Sequence, residues 1–193
     1  MKPPAKLERC PWARSPLMQA YHDTEWGVPV HDDQKLFEFL VLEGAQAGLS
    51  WETVLRKREA YREAFDNFDV QKVARYDSRK IESLLRNPGI IRNRLKIASV
   101  VTNSRAFAQI QHAFGSFDAY IWRFMEGGKP LQNAWKSMLN IPGFTPLSTQ
   151  IAADLKQKGF KFVGTTIIYA HMQATGMVND HLITCPRHAA LKR

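Results

Sequence analysis

The sequence predicts an all-α protein, and three observations carry that reading. Apolar residues recur three and four apart through one segment after another, the period of a helix face. Most of these segments open on Asp, Ser or Thr, and Gly and Pro punctuate them. No stretch alternates apolar and polar residues long enough to make a strand, and there is no long repeat or low-complexity tract.

Residues 1–8 read as a loose arm rich in Pro and Lys. Residues 9–31 hold few helical periods but carry Cys10, Trp12, Tyr21, His22, Glu25 and Trp26, so they read as a packed irregular segment. Residues 32–47 form a helix. Asp32 or Asp33 caps it, and Leu36 and Leu40 fall one turn apart on one face. Gly48 ends it. Ser50 caps a helix over 50–65, with Val54, Tyr61 and Phe65 on one side and Arg56, Lys57, Arg58, Glu59 and Arg62 largely on the other. Short helices follow over 69–75 and 78–86. The longest spans 90–112, with Ile90, Leu95, Ile97, Val100, Val101 and Phe107 as its apolar positions and Arg92, Arg94 and Lys96 near its start. Another short helix covers 117–125. Gly127, Gly128, Pro130, Pro142, Gly143 and Pro146 make 126–147 a long loop or a pair of turns. Helices over 148–158 and 165–175 complete the set.

The chain has 193 residues, 45% of them hydrophobic, enough for one sizeable core. Its net charge is +9, spread along the sequence, which favours a polyanionic partner, nucleic acid before an anionic membrane. Two cysteines make no disulfide framework. The basic N-terminus leads into no apolar run, and the most apolar stretch, 160–178, is broken by Lys161, His171 and Gln173. A cytoplasmic protein with no membrane partner is expected.

The stretch 42–51 is the most pointed. Glu43 follows Leu36 by seven and Leu40 by three, so it faces the same way as those leucines. A carboxylate buried without a partner costs several kcal/mol or shifts its pKa. After the Gly48 break, Trp51 opens the next helix. The residues leave two readings: a half-exposed carboxylate at a helix end, or a pocket with an acidic wall and an aromatic floor.

Residues 159–164, Gly-Phe-Lys-Phe-Val-Gly, join two helices as a hairpin. Thr165 and Thr166 then open a helix whose first N–H groups could hold a phosphate. An ordinary helical hairpin fits equally well. Cys10, His22, His181 and Cys185 supply two thiolates and two imidazoles, a set that suits a closed tetrahedral Zn²⁺ site. Their long spacing also allows two buried thiols with two surface histidines, or a disulfide, which a reducing compartment disfavours.

Five motifs in order, Cys10-Pro11-Trp12, residues 20–27 (AYHDTEWG), residues 42–51 (LEGAQAGLSW), residues 159–166 (GFKFVGTT) and residues 178–181 (VNDH), closely resemble the bacterial type I 3-methyladenine DNA glycosylases. The resemblance covers about residues 9–186. It implies a helix-hairpin-helix DNA glycosylase fold, two helical lobes flanking a base-binding cleft, with one structural zinc on Cys10, His22, His181 and Cys185 tying the chain's ends together. The chain then divides into a flexible basic arm over 1–8, one glycosylase domain over 9–186 and a short basic tail over 187–193, with nothing calling for more than a monomer.

The resemblance further implies excision of cationic 3-methyladenine from alkylated double-stranded DNA by base flipping. Tyr21, Trp26 and Trp51 would wall the base, and Glu43 would accept its hydrogen bonds and be the catalytic carboxylate. Gly48 and Leu49 would fill the gap left in the duplex, and Gly159, Lys161, Gly164, Thr165 and Thr166 would hold the backbone. Bifunctional relatives carry a lysine where this chain has Thr166, so a monofunctional enzyme is expected. Met18 stands where many members have a tyrosine. Asp180 is expected to orient His181 or cap a helix rather than act in catalysis. The competing expectation is a zinc-stabilised helical module that binds damaged DNA without cleaving it.

Overall fold

A computed structural model describes residues 8–192. The arm expected over 1–8 lies outside the described residues except for Glu8, whose N–H donates to Thr184 O at 3.1 Å.

The fold is built around helix α2 (Asp33–Gln46). Asp32 caps it, and every residue from 36 to 45 is buried. A helix apolar nearly all round belongs at the centre of a bundle, and α2 takes that place. Around it run α3 (Trp51–Leu55), α4 (Arg58–Ala64), α5 (Val70–Val73), α6 (Ser78–Arg86), α7 (Arg94–Phe114) and α8 (Phe117–Trp122). Helices α5, α6 and α8 pack on α7, and α7 and α8 pack on α2. The hairpin of α9 (Pro146–Gln157) and α10 (Thr165–Ala174) closes over α2. A large core runs through these helices. A smaller one gathers Cys10, Met18, Tyr21, Trp26, Phe39, Leu55 and Cys185. The all-α reading holds.

Four local expectations are corrected. Residues 9–31 are not irregular throughout: α1 (Pro16–Thr24) is a helix with Ser15 at its N-cap and Pro16 at its first turn. Its buried face is Met18, Tyr21 and His22, spaced three and four apart. The helix expected over 50–65 breaks at Lys57 (φ −98°, ψ 1°). There the Lys57 ammonium bonds Pro88 O at 2.9 Å, and the break turns Arg58 inward to Glu38 and Glu25. The long helix starts only at Arg94, after the Asn93 cap, and Leu95 points to solvent, 70% exposed. Helix α9 begins two residues early, because Thr145 and Ser148 form a reciprocal capping box ahead of Pro146.

The region 126–147 holds three features too short for any sequence period, single 3-10 turns at Glu126–Gly128 and Met138–Asn140 and a strand between them. Strand β1 (Leu131–Gln132) pairs in parallel with β2 (Val178–Asn179), tying this loop to the segment after α10. The tail expected over 187–193 instead starts as part of helix α11 (Pro186–Ala190), with His188 and Leu191 buried. Gly176 (φ +67°) lets the chain pass the backbone of Val28, where a Cβ would meet Val28 C at 2.3 Å.

Candidate active site and metal centre

A cleft of about 400 Å³ opens where α1, α2, α3, α10 and residues 138–143 meet. Each wall is placed by an element already described. Helix α1 supplies Met18 and Tyr21, α2 supplies Glu43 and Gln46, and Trp51 stands at the first position of α3 behind its Ser50 cap. Trp12 and Trp26 meet edge-on at 5.0 Å, and Tyr21 and Trp51 lie tilted at 5.4 Å. Tyr21, Trp26, Glu43 and Trp51, singled out from the sequence as base-binding residues, thus share one cavity.

Glu43 is 4% exposed, and its Oε2 has no hydrogen-bond partner. Neither has the indole Nε1 of Trp51. Burial pushes the Glu43 carboxyl up to about 8, and burial with Glu43 nearby raises Tyr21 as well. The pocket therefore holds an acceptor and a donor, both desolvated and both unspent. Buried polar groups are nearly always paired in native proteins, so two orphans in one cleft point to a ligand.

Sequence reasoning missed part of this lining. Gln46, Tyr169 and Gln173 also face the cleft, with Thr166 from the hairpin. The signal was available: Gln46 follows Glu43 by three, and Tyr169 and Gln173 follow Thr166 by three and seven, on one face of α10.

Asp180 does something other than expected. Its carboxylate does not touch the His181 ring. Oδ1 accepts from Asn133 Nδ2 (2.6 Å) and Trp135 Nε1 (2.7 Å), and Oδ2 from Tyr169 OH (2.6 Å) and Gln173 Nε2 (2.7 Å). It holds two pocket residues and the 131–145 loop in place. The backbone directs its side chain away from the histidine that follows it.

Cys10, His22, His181 and Cys185 come together, all buried, with one ligand atom of each within 4.8 Å of the others. They do so without the helical turn that a spacing of four suggested, since residues 181–185 form bends and turns. His22 Nδ1 donates to Asp23 Oδ1 at 2.8 Å, and His181 Nε2 donates to Trp26 O at 3.0 Å. Both acceptors lack protons, so these bonds fix the tautomers and leave His22 Nε2 and His181 Nδ1 as bare lone pairs. The two nitrogens face each other at 3.1 Å, with the sulfurs of Cys10 and Cys185 3.5–3.7 Å away. Burial, with Cys185 adjacent, pushes the Cys10 thiol up to about 12, and it lowers His181 to about 4. Two converging lone pairs and two thiols repel or waste one another unless a cation sits between them, so this donor set can hold a metal ion.

The remaining sequence-predicted residues lie on the turn between α2 and α3 and on the α9–α10 hairpin, and of these Thr166 lines the cleft. Gly48 (φ +78°) ends α2, and Leu49 follows, 40% exposed. Gly159 (φ +92°) closes α9, and Phe160 and Val163 anchor the hairpin in the core. Asn103 clamps the backbone of Lys161, accepting its N–H at 2.8 Å and donating to its C=O at 2.9 Å, which leaves the Lys161 side chain exposed. Gly164 is the N-cap of α10, so no side chain caps that helix ahead of Thr165 and Thr166.

The fold and this site have close counterparts among known proteins. The DNA-3-methyladenine glycosylase 1 of Escherichia coli (strain K12) is 47% identical over 180 residues, which are 93% of this chain and 96% of that protein. The DNA-3-methyladenine glycosylase of Haemophilus influenzae is 44% identical over 179 residues, 92% and 96% of the two chains. A solved structure of 3-methyladenine DNA glycosylase I from Staphylococcus aureus, concerned with 3-methyladenine recognition, superimposes with a TM-score of 0.90 at 36% identity and covers 94% of this chain and 96% of that one. Residues 12–188 match the methyladenine glycosylase family from end to end of the helical body, and with relatives this similar over nearly their whole length the chain belongs to that family.

Proposed function

We propose that this chain is a monofunctional DNA-3-methyladenine glycosylase that hydrolyses the N-glycosidic bond of 3-methyladenine in alkylated duplex DNA. The observation that carries the reading is the buried, unpartnered Glu43 carboxyl in an aromatic cleft beside an unpartnered Trp51 indole. With no cation beside it, burial keeps the proton on that carboxyl at neutral pH. A cationic base brings the charge the anion lacks, and a cation against aromatic faces gains a further ~0.5–2 kcal/mol. Neutral adenine offers neither, so the cleft selects by charge as well as shape.

To reach the cleft the nucleotide leaves the stack, at a cost of a few kcal/mol that is lowest for a damaged base. Gly48 and Leu49 are suited to fill the vacancy, and the open N-terminus of α10, with Gly159, Lys161, Gly164, Thr165 and Thr166, to hold the backbone. The base departs as a neutral leaving group from a positively charged nucleoside, so no acid is needed. Glu43, once ionised, stabilises the cation that develops on the sugar, and water completes the hydrolysis. Thr166 offers no amine to attack the sugar, which favours hydrolysis without strand cleavage.

The metal in this reading is one Zn²⁺ on Cys10, His22, His181 and Cys185. Tetrahedral zinc with ordinary bond lengths gives edges of ~3.3 Å between nitrogens and ~3.6 Å between nitrogen and sulfur. The spacings of 3.1 Å and 3.5–3.7 Å support it. Four protein ligands leave no open position, so its role is structural. Cleft and cluster are each complete within one chain, which supports a monomer.

The test is chromatography of bases released from methylated DNA. Wild-type protein should release 3-methyladenine, and Glu43→Gln should release it at least about 100-fold more slowly while staying folded. Salt-dependent DNA binding with no base released by the wild type would instead make the chain a non-catalytic binder of damaged DNA.

A further inference from the structure

The loop that closes the cleft from the 131–145 side has a role the pocket alone does not explain. Met138, Ile141, Pro142 and Gly143 line the cleft. Between and beside them, Leu139 is 96% exposed and Phe144 58% exposed. One exposed leucine means little, but an apolar cluster on a short turn at the mouth of a ligand site marks a contact surface. The turn is also held firmly. Its stem is bonded to Asp180 through Asn133 and Trp135, Trp135 O accepts from Ile183 N at 3.0 Å, and Ser137 Oγ donates to Asn140 Oδ1 at 2.8 Å. Its far end runs into the Thr145 capping box of α9. An apolar tip on a fixed stem suits insertion into a surface.

Charge says which surface. Residues 127–179, which carry this loop and the α9–α10 hairpin, contain five lysines and a single acidic residue, Asp154. Asp154 is already engaged by Tyr120 and Arg123. With exposed Glu126 and buried Asp180 just beyond its two ends, the span still presents more positive than negative charge to a polyanion. We infer that the turn at Met138–Asn140 is a second wedge, with Leu139 packing against the stacked bases that flank the extruded nucleotide while Leu49 fills the gap from the α2–α3 turn. The inference rests on the glycosylase reading above.

The experiment compares Leu139→Ala and Leu139→Met with wild type on methylated duplex DNA, on methylated single-stranded DNA and in binding free 3-methyladenine. The side chain is exposed, so melting temperatures should not move. Leu139→Ala should lower kcat/KM on the duplex about tenfold, the scale expected for losing the burial of one leucine side chain. The loss should shrink on single strands, where no stack has to be parted, and free-base binding should be unchanged. Leu139→Met should restore most of the duplex rate. Equal duplex rates for Leu139→Ala and wild type would overturn the wedge, and would be the result if the loop served a protein or membrane partner. A wild type that releases no base overturns the glycosylase reading itself, a separate outcome.

Discussion

Glu38 and Glu43 sit five residues apart on one buried helix, yet their environments are opposite. Burial pushes Glu38 up, but hydrogen bonds and charge from Arg58, with Lys35 and Arg62, outweigh it and hold that carboxyl below its ordinary range. Glu43 has no cation, and burial alone sets it at about 8. The first is a structural ion cluster and the second is a site waiting for charge. A stability consequence follows. Folded Glu43 keeps its proton up to about pH 8, against an ordinary value of 4.5. Between those values the folded chain binds more protons than the unfolded one, so this group lowers stability as pH rises from 4.5 to 8, after which its effect levels off. Glu43→Gln removes that slope. Relative to the variant, wild type should lose on the order of a few kcal/mol between pH 5 and pH 9 in paired urea unfolding curves. Curves that stay parallel across that range would mean the carboxyl is not dry. Glu43 was visible in the sequence because it interrupts an apolar stripe. The duty of Asp180 was not, because two of its four partners, Asn133 and Trp135, lie more than forty residues away on a loop with no period to read.

At the scale of elements, caps made most boundaries legible. Asp32, Ser50 and Asp69, read as caps or helix starts from the sequence, each accept a backbone N–H at a helix start, as do Asp77 and Asn93, which sequence reasoning missed. What escaped was set by tertiary partners: the break at Lys57 serves the Arg58 ion cluster, and the two-residue strands exist only as a pair. The end of α2 shows the same dependence on distant residues. Its C-terminal carbonyls lack a Schellman partner, and Lys96 from α7 reaches over to bond Ala45 O at 2.9 Å and Ala47 O at 2.6 Å. A cation at a helix C-terminus answers both the dipole and the orphan acceptors. It also fixes the point from which Gly48 and Leu49 project. Lys96→Met keeps the apolar stem and loses both bonds, and should cost about 1–2 kcal/mol in denaturant unfolding. Amide exchange should then quicken around residues 46–49 while the α9–α10 hairpin is unaffected. Unchanged exchange there would show that the turn holds itself without the lysine.

Across the whole molecule, the helical body could be foreseen from period and punctuation, whereas the cluster of Cys10, His22, His181 and Cys185 is drawn from the two extremes of the chain. Cys10 and His181 are 171 positions apart in sequence, yet Cys10 Sγ and His181 Nδ1 lie 3.7 Å from each other. Asp23 and Trp26 O orient the two imidazoles toward the same point, and Trp26 also lines the cleft, so the cluster and the binding site share a wall. A metal held by these four residues would join the N-terminal segment to the residues after α10. Loop-closure entropy grows with the logarithm of the loop, so such a clip across nearly the whole chain would act mainly by constraining the unfolded chain. Removing one thiolate leaves three donors, two of them histidines with lone pairs opposed. Cys10→Ser should therefore lose about one equivalent of zinc by elemental analysis and melt on the order of 5–10 °C lower. Part of its activity should go with it, through displacement of Trp26 and Tyr21, while Glu43→Gln should retain full zinc. Zinc-free native protein would refute the ligand assignment. Zinc retained by Cys10→Ser with an unchanged melting temperature would remove Cys10 from it and leave closure of the chain to the packing of Trp12, Trp26 and Leu182 alone.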